Sequence, residues 1–537
     1  MIRYSVARLA IIAFSLLASA RVLADIDRIE ELRTLINDTL IGSDIPSIAV
    51  AVAQDGQILW EEGFGLADIE NQLLADEHTS YSLASISKVF TGVALMTLVE
   101  EGKVALEDPV NQHLGPTKLT AHIGDVDDAT LRRVANHTAG LPIYYQFFYE
   151  DEDRQRPSME ESIARYGRIV AKPGETYQYA NFGYGILEYV IERSTDQNFA
   201  DYLQQAIFIP LGMQDSFMPV SGNFKSKVAK RYSHDDYVIP FYDFDHRGGS
   251  AVYSSAHDLV RFGMFLLAAK SVDGGTDVLS QASLDQMFEM TSGTDETPNR
   301  YGIGVSRFLE LEKAMEGIEA FGHSGGMGGV ATSLVLLPQQ KVSIAVLINK
   351  SGPGISRVKT DLLLEVIDRV LPDTVKPASS PAITDLTLKF IERVLPDVLK
   401  PTRSLALDER FAGTWTGHVD TYAGQIPLRL YLSDSKTHSG SIGDHPIGGV
   451  TVAQGDDDFY YFTLDSGAID TPDAKRYPHT VKLKLKLRES GALNGYATAS
   501  SRKMQGRIGN AQSYWAELQK IVTRGSETEA GNEVRSE

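Results

Sequence analysis

Two strand pairs, set far apart along the chain, constrain most strongly what it can fold into. Residues 47–53 form a strand-like apolar run, and Asp55-Gly56 is a hairpin signal leading into Ile58-Leu59-Trp60. Far downstream, 330–337 and 342–348 are two more strand-like runs, turning at Pro338-Gln339-Gln340-Lys341. The stretch between is largely helical in pattern. Strands from both ends of a domain with helices between them imply an antiparallel sheet covered by helices, an α+β fold.

Within the helical stretch, Ser85-Ile86-Ser87-Lys88 opens an apolar run over 89–99 that stops at Glu100-Glu101-Gly102. A helix advances about 3.6 residues per turn, so Ser85 and Lys88 leave the first turn on the same face. A hydroxyl then stands beside an amine, close to the free N–H groups of a helix start. A serine attacks only once a base takes its proton, and an oxyanion needs donors already in place. Alone, S-x-x-K is equally the sequence of a capped helix. Two further segments bear on that choice. Tyr179-Ala180-Asn181 follows the Pro173-Gly174 turn and leads into a helical run over 186–191; Phe321-Gly322-His323-Ser324-Gly325-Gly326 is a Gly-rich approach to the downstream strands.

Taken in order, these three segments resemble the serine β-lactamase and penicillin-binding-protein superfamily. They are most similar to its class C β-lactamase-related serine hydrolases, with S-x-x-K, Y-x-N and a (K/H)-x-G strand. Asn136-His137-Thr138-Ala139-Gly140-Leu141-Pro142 resembles the family's H-T-S-G-L-P turn, and residues 248–259 its G-G-x-x-S-T-A-x-D-L segment. The likeness runs from about Ile26 to about Lys350. It implies a sheet domain with a helical insertion and the active site between them. It implies Ser85 as nucleophile, Lys88 as base and Tyr179 as the group that relays the proton to the leaving group. Substrate contacts would come from Asn181, His323, Gly325 and Gly326, with the backbone N–H groups of Ser85 and Gly326 holding the oxyanion. The substrate would be a small molecule or short peptide, with no cofactor and no metal. A peptidase or amidase acting on peptides with D-residues is the leading expectation, including linearised nonribosomal peptides such as microcystins. A carboxylesterase and a penicillin-binding sensor without turnover are the competitors. Histidine at 323, where penicillin-binding proteins carry lysine, is at most partly charged at neutral pH, which weakens the case for binding a β-lactam carboxylate.

Other patterns carry less. Gly322-His323-Ser324-Gly325-Gly326 also fits G-x-S-x-G, but that elbow needs a helix after it and strand-like sequence follows. His234, Asp235, Asp236, Asp243, Asp245 and His246 match no metal-ligand spacing and read as a polar loop. Glu175 reads as a solvated turn residue. Tyr144, Tyr145, Phe147, Phe148 and Tyr149 precede an acidic stretch and offer a wall for a bulky apolar substrate group.

Residues 1–24 read as a secretory signal, with Arg3 and Arg8 ahead of an apolar run and Val22-Leu23-Ala24, or alternatively Ala18-Ser19-Ala20, as cleavage site; a retained N-terminal anchor is the competing reading. This implies a periplasmic or secreted enzyme with no membrane span once the signal is removed. The chain has 537 residues, no cysteine and a formal charge of −20. Disulfides and thiol catalysis are excluded, and nucleic acid is an unsuitable partner. The hydrolase domain is expected over 25–358. A helical linker over 359–406 contains a duplicated segment, since 361–377 (DLLLEVIDRVLPDTVKP) returns at 385–401 (DLTLKFIERVLPDVLKP). Residues 407–523 read as a small lipocalin-like β-barrel, marked by the alternation Val481-Lys482-Leu483-Lys484-Leu485-Lys486-Leu487. The charged stretch 524–537 is expected to be disordered.

Overall fold

The first hairpin closes as its sequence suggests. Asp55 and Gly56 both hold positive φ, 49° and 80°, the pair a type I′ turn demands, and they join β1 (Ser47–Gln54) to β2 (Gln57–Asp68). A computed structural model of the protein describes residues 27–219, 221–222, 227–268, 278–293, 300–371, 409–433, 438–454, 459–501 and 507–521. The sheet adds β3 (Leu73–Leu74), β4 (Ser306–Arg307), β5 (Phe321–Met327), β6 (Val330–Leu337) and β7 (Val342–Ile348), in the order β4-β5-β6-β7-β1-β2-β3. The two distant strand pairs therefore meet at the centre, where β1 runs antiparallel to β7 with Ala51 opposite Ala345. This is an antiparallel sheet built from both ends of the domain, as the sequence implies.

Strand alternation sends Ile48, Val50, Val52, Ile344 and Val346 to one core. There they pack with Leu32 and Ile36 from a helix over 27–42, and with Leu363, Val366 and Ile367. The helical stretch supplies α1 (Ser87–Glu100), α2 (Asn181–Thr195) and α3 (Ala256–Leu266). Twelve of the fourteen residues of α1 are buried, the pattern of a helix enclosed on all sides.

Leu363, Val366 and Ile367 belong to α4 (Ile355–Val370), so the domain boundary expected at residue 358 falls inside a helix of the sheet's own core. The physical reason is that the apolar face of the first repeat copy completes that core. The second copy, the signal segment 1–24 and the tail 524–537 lie outside the described residues.

The described residues fall into two compact units. The second contains a nearly closed antiparallel barrel. Its strands are β8 (Gly413–Thr421), β9 (Gly424–Leu432), β10 (Ser439–Ile442), β11 (His445–Ile447), β12 (Val450–Gln454), β13 (Tyr460–Leu464), β14 (His479–Leu487), β15 (Leu493–Ser501) and β16 (Ala511–Lys520). They pair in the order β11-β10-β9-β8-β16-β15-β14-β13-β12. Val481, Leu483 and Leu485 of β14 are buried while the lysines between them reach solvent. Among the described residues no helix is long and apolar enough to cross a membrane.

The first unit includes Ser501–Ser513 as well as the N-terminal region. Tyr145 and Ala511 exchange two backbone hydrogen bonds of 3.0 and 2.9 Å. The Phe147 N–H donates to Asn510 Oδ1, the Ile508 N–H to the Tyr149 hydroxyl, and the Ser513 hydroxyl to the Ile143 carbonyl. Arg507 pairs with Asp151 and Glu152. A cut at Pro401, within the linker expected over 359–406, strips these contacts from the first unit. Each hydrogen bond is worth about 1 kcal/mol net. The fragment 25–401 should therefore melt several degrees below the first transition of the full chain, as thermal unfolding by calorimetry would show. An unchanged transition would mean that Ser501–Ser513 contributes no stability to the unit.

Candidate active site

Ser85 stands in a 3₁₀ turn, Ala84–Ile86, at the mouth of α1. Ala84, just before it, is held in the left-handed region at φ 50°, a conformation that costs a non-glycine residue on the order of 1 kcal/mol. The turn is fixed from outside: the Leu83 N–H donates to the Val252 carbonyl, and Thr332 Oγ1 on β6 donates to the Leu83 carbonyl. Strand β5 presses against the same turn. A Cβ at Gly325 would lie 2.1 Å from the Leu83 oxygen and 2.2 Å from Thr332 Oγ1, so only glycine allows this approach. Gly325, read as a substrate contact, is thus filled against the protein. Gly326 is exposed and has nothing within 4 Å of where its Cβ would be. With the Ser85 N–H, it is the candidate oxyanion donor.

Lys88 is fully buried. Its Nζ lies 3.1 Å from Ser85 Oγ, 2.7 Å from Asn181 Oδ1 and 2.8 Å from the Gly249 carbonyl. The latter two are acceptors only. A neutral amine has two N–H groups and one lone pair, so donating to these two leaves the lone pair for the Ser85 O–H. Burial alone holds Lys88 well below the ordinary lysine range, because a desolvated ammonium is costly. Among the described residues no carboxylate opposes that shift. Asn181, the first residue of α2, thereby becomes a partner of the base, while its NH₂ makes no hydrogen bond among the described residues.

Tyr179 is half-buried, with its phenol near Ser85. Burial raises its phenol above the ordinary range and the nearby Ser85 side chain opposes this only in part, so the phenol keeps its proton and can donate. Ser85 Oγ therefore sits between an amine able to accept a proton and a phenol able to give one. Lys88 Nζ is 4.9 Å from the Tyr179 ring centre.

Both nitrogens of His323 are engaged. Nδ1 is 2.7 Å from the Ser324 carbonyl and so carries the proton; Nε2 accepts from the Tyr301 hydroxyl at 2.8 Å. Burial pushes the ring down to about 3, so it is neutral across the ordinary range. Only 5% of His323 is exposed.

Tyr301 was not singled out by sequence, and Gly249, within the 248–259 segment, was given no role in the chemistry. Tyr301 lies in a loop without a motif, and Gly249 acts through a backbone oxygen. Glu188 is buried with its pKa raised to about 8 by burial; it accepts from the Gly248 N–H at 2.7 Å and so braces the turn that offers Gly249 to Lys88.

Ser324 lies on β5 with a strand after it, and its hydroxyl meets Ser333 Oγ at 3.3 Å. The expected aromatic wall is largely packed away. Phe147–Tyr149 forms a short strand paired with Tyr242–Phe244, all three rings buried, and Tyr144 bonds Asp245. Edge-on packing of Phe147 and Tyr149 against Tyr242 explains why these rings turn inward. The acidic loop residues part company: Asp236 pairs with Lys350, and Asp243 with Arg247 and Arg156.

The beta-lactamase family model matches residues 32–367. The chain belongs to the beta-lactamase family. Its members are serine hydrolases, and this chain is one. The chain is 26% identical over 362 residues to "Unguisins hydrolase ungD'" of Aspergillus campestris, a match covering 64% of this chain and 65% of that protein. It therefore spans slightly under two thirds of that relative's length. To "Penicillin-binding protein 4*" of Bacillus subtilis it is 27% identical over 326 residues, covering 56% of this chain and 67% of the other. Among solved structures, SurE with D-Leu shares the fold with a TM-score of 0.57 at 18% identity, covering 92% of this chain and all of that one.

Replacing Ser85 by Ala should abolish turnover by on the order of a million-fold, while Ser324→Ala should retain it. A fluorophosphonate probe should label Ser85, located by peptide mass mapping; an adduct on Ser324 would contradict the assignment. His323→Lys puts an ammonium where both ring nitrogens are now satisfied, so it should slow every substrate by about tenfold or more. A gain toward penicillins alone would show that position 323 faces a substrate carboxylate.

Proposed function

We propose that this protein is an exported acyl hydrolase that cleaves amide bonds in peptides containing D-residues, through an acyl-enzyme on Ser85. Lys88 takes the Ser85 proton as Oγ attacks the carbonyl carbon, and the oxyanion is held by the N–H groups of Ser85 and Gly326. The proton reaches the departing amine through Tyr179, whose phenol lies against Ser85. Water then attacks the ester while Lys88 again accepts a proton, and Ser85 is regenerated.

The observation that carries the substrate reading is the neutral, enclosed His323. A β-lactam or a peptide C-terminus near the scissile bond wants a cation in the β5 motif, and here a tyrosine occupies the ring instead. Substrates without that carboxylate, such as internal amides of a longer peptide, suit the site better. The name of the unguisins hydrolase and the D-leucine in the SurE structure support a peptide substrate and D-configuration respectively. Linearised nonribosomal peptides are the class that combines both. Export to a periplasm or beyond rests on the pattern of residues 1–24 and the absence of cysteine.

The test is a hydrolysis panel of matched D- and L-aminoacyl anilides, a mixed D/L peptide with its C-terminus amidated or free, a p-nitrophenyl ester and a cephalosporin. The reading expects kcat/KM for the D-anilide to exceed that for its L-partner by tenfold or more, the amidated peptide to match or exceed the free acid, and weak turnover of the cephalosporin. Cleavage of the ester with no amide turnover would make the protein a carboxylesterase instead.

A further inference from the structure

His137 has no place in the chemistry above, yet it touches the segment carrying Tyr179 in three ways. Its carbonyl accepts the Gln178 N–H at 2.8 Å, its Nδ1 accepts the Ala180 N–H at 3.2 Å, and its ring centre lies 4.3 Å from that of Tyr179. One residue thus binds the backbone on either side of the candidate proton donor. We propose that His137 is a positioning residue that holds the Tyr179 phenol at Ser85, through an imidazole whose unprotonated Nδ1 clamps the Ala180 N–H.

The tautomer follows from the contact. An Nδ1 that accepts from a backbone N–H carries no proton, so the proton is on Nε2. Nε2 is buried and makes no hydrogen bond among the described residues. Around the ring stand tyrosines, Tyr301 at 4.5 Å and Tyr184 at 5.4 Å between ring centres. Losing a potential bond at Nε2 is a cost the site accepts in order to keep Nδ1 an acceptor. Burial holds the ring well below the ordinary histidine range, so the clamp stays neutral.

The clamp is itself anchored. His137 adopts φ 65°, which turns its carbonyl and its ring toward the same segment. The flanking residues fix that turn: the Thr138 N–H donates to the Arg133 carbonyl at 2.8 Å, Asn136 Nδ2 donates to Thr291 Oγ1 at 2.9 Å, and the Tyr184 hydroxyl donates to the Ala135 carbonyl at 2.6 Å. A phenol reaches far from its own Cα, so a small tilt of the 178–180 backbone is magnified at the hydroxyl. Misplacing a reacting group by 1 Å can cost about 100-fold in rate.

Substitutions at 137 separate this role from simple packing. Asparagine puts an acceptor oxygen near the place of Nδ1, glutamine near Nε2, and leucine supplies neither. His137→Leu should lower kcat for an activated p-nitrophenyl ester by about 10- to 100-fold with KM within about threefold, His137→Gln should be similarly impaired, and His137→Asn should recover most of the loss. Should the leucine variant fail to fold, the asparagine and glutamine pair carries the comparison. The deciding measurement is the double variant. The proposal rests on Tyr179's assigned role, which Tyr179→Phe alone tests by its own loss of kcat. In that background His137→Leu should add less than about twofold, because a clamp has nothing left to position. A full additional loss beside Tyr179→Phe, or an asparagine variant no better than glutamine, would overturn the proposal.

Discussion

The site depends on one buried amine with no acid beside it among the described residues. Lys88 is sealed beneath the Ser85 turn, and its three polar neighbours are a hydroxyl, an amide oxygen and a backbone carbonyl. In water a lysine is a poor base because it is already protonated. Here desolvation makes the ammonium the costly form, and the partner set matches a neutral amine with its lone pair on Ser85. The environment supplies what other serine hydrolases obtain from a histidine and a carboxylate.

Keeping that amine dry constrains the surrounding fold. Helix α1 is enclosed on nearly every side, so the turn at its start has little freedom to let water in. Strand β5 comes close enough to the turn that position 325 has no room for a Cβ, while the next position stays open. One strand therefore closes the site with Gly325 and presents an oxyanion donor with Gly326. The same logic governs the tyrosines and histidines around Tyr179. His323 and His137 are both held neutral by burial, which keeps positive charge away from the base.

Much of this was legible in the sequence. S-x-x-K is readable because helical spacing brings positions three apart together, and the closing hairpin because Asp-Gly admits few turns. The alternation around Leu483 marks the barrel, whereas Ser439–Ile442 and His445–Ile447 are too short and mixed to announce themselves as strands. What escaped reading depends on contacts between distant segments. Tyr301 meets His323 without belonging to any motif, and the roles of Gly249 and Ala180 belong to backbone atoms that side-chain identity does not reveal. The aromatic run over 144–149 misled for a related reason: composition shows that rings are present, but only the pairing with Tyr242–Phe244 shows which way they face. Likewise, nothing local to Asn510 and Ala511 says that they pair with Phe147 and Tyr145.

The central claim is that Lys88 is neutral when it meets Ser85, and the protonation state of that one amine tests it most directly. With lysines labelled at Cε by ¹³C, and Lys88→Arg used to assign the signal, the chemical shift of Lys88 can be followed against pH in the folded enzyme. The account predicts a midpoint well below the ordinary lysine value, with the neutral form populated at the pH where the enzyme works. A Lys88 signal that stays protonated up to the ordinary lysine range would contradict it, and the base would have to be sought elsewhere.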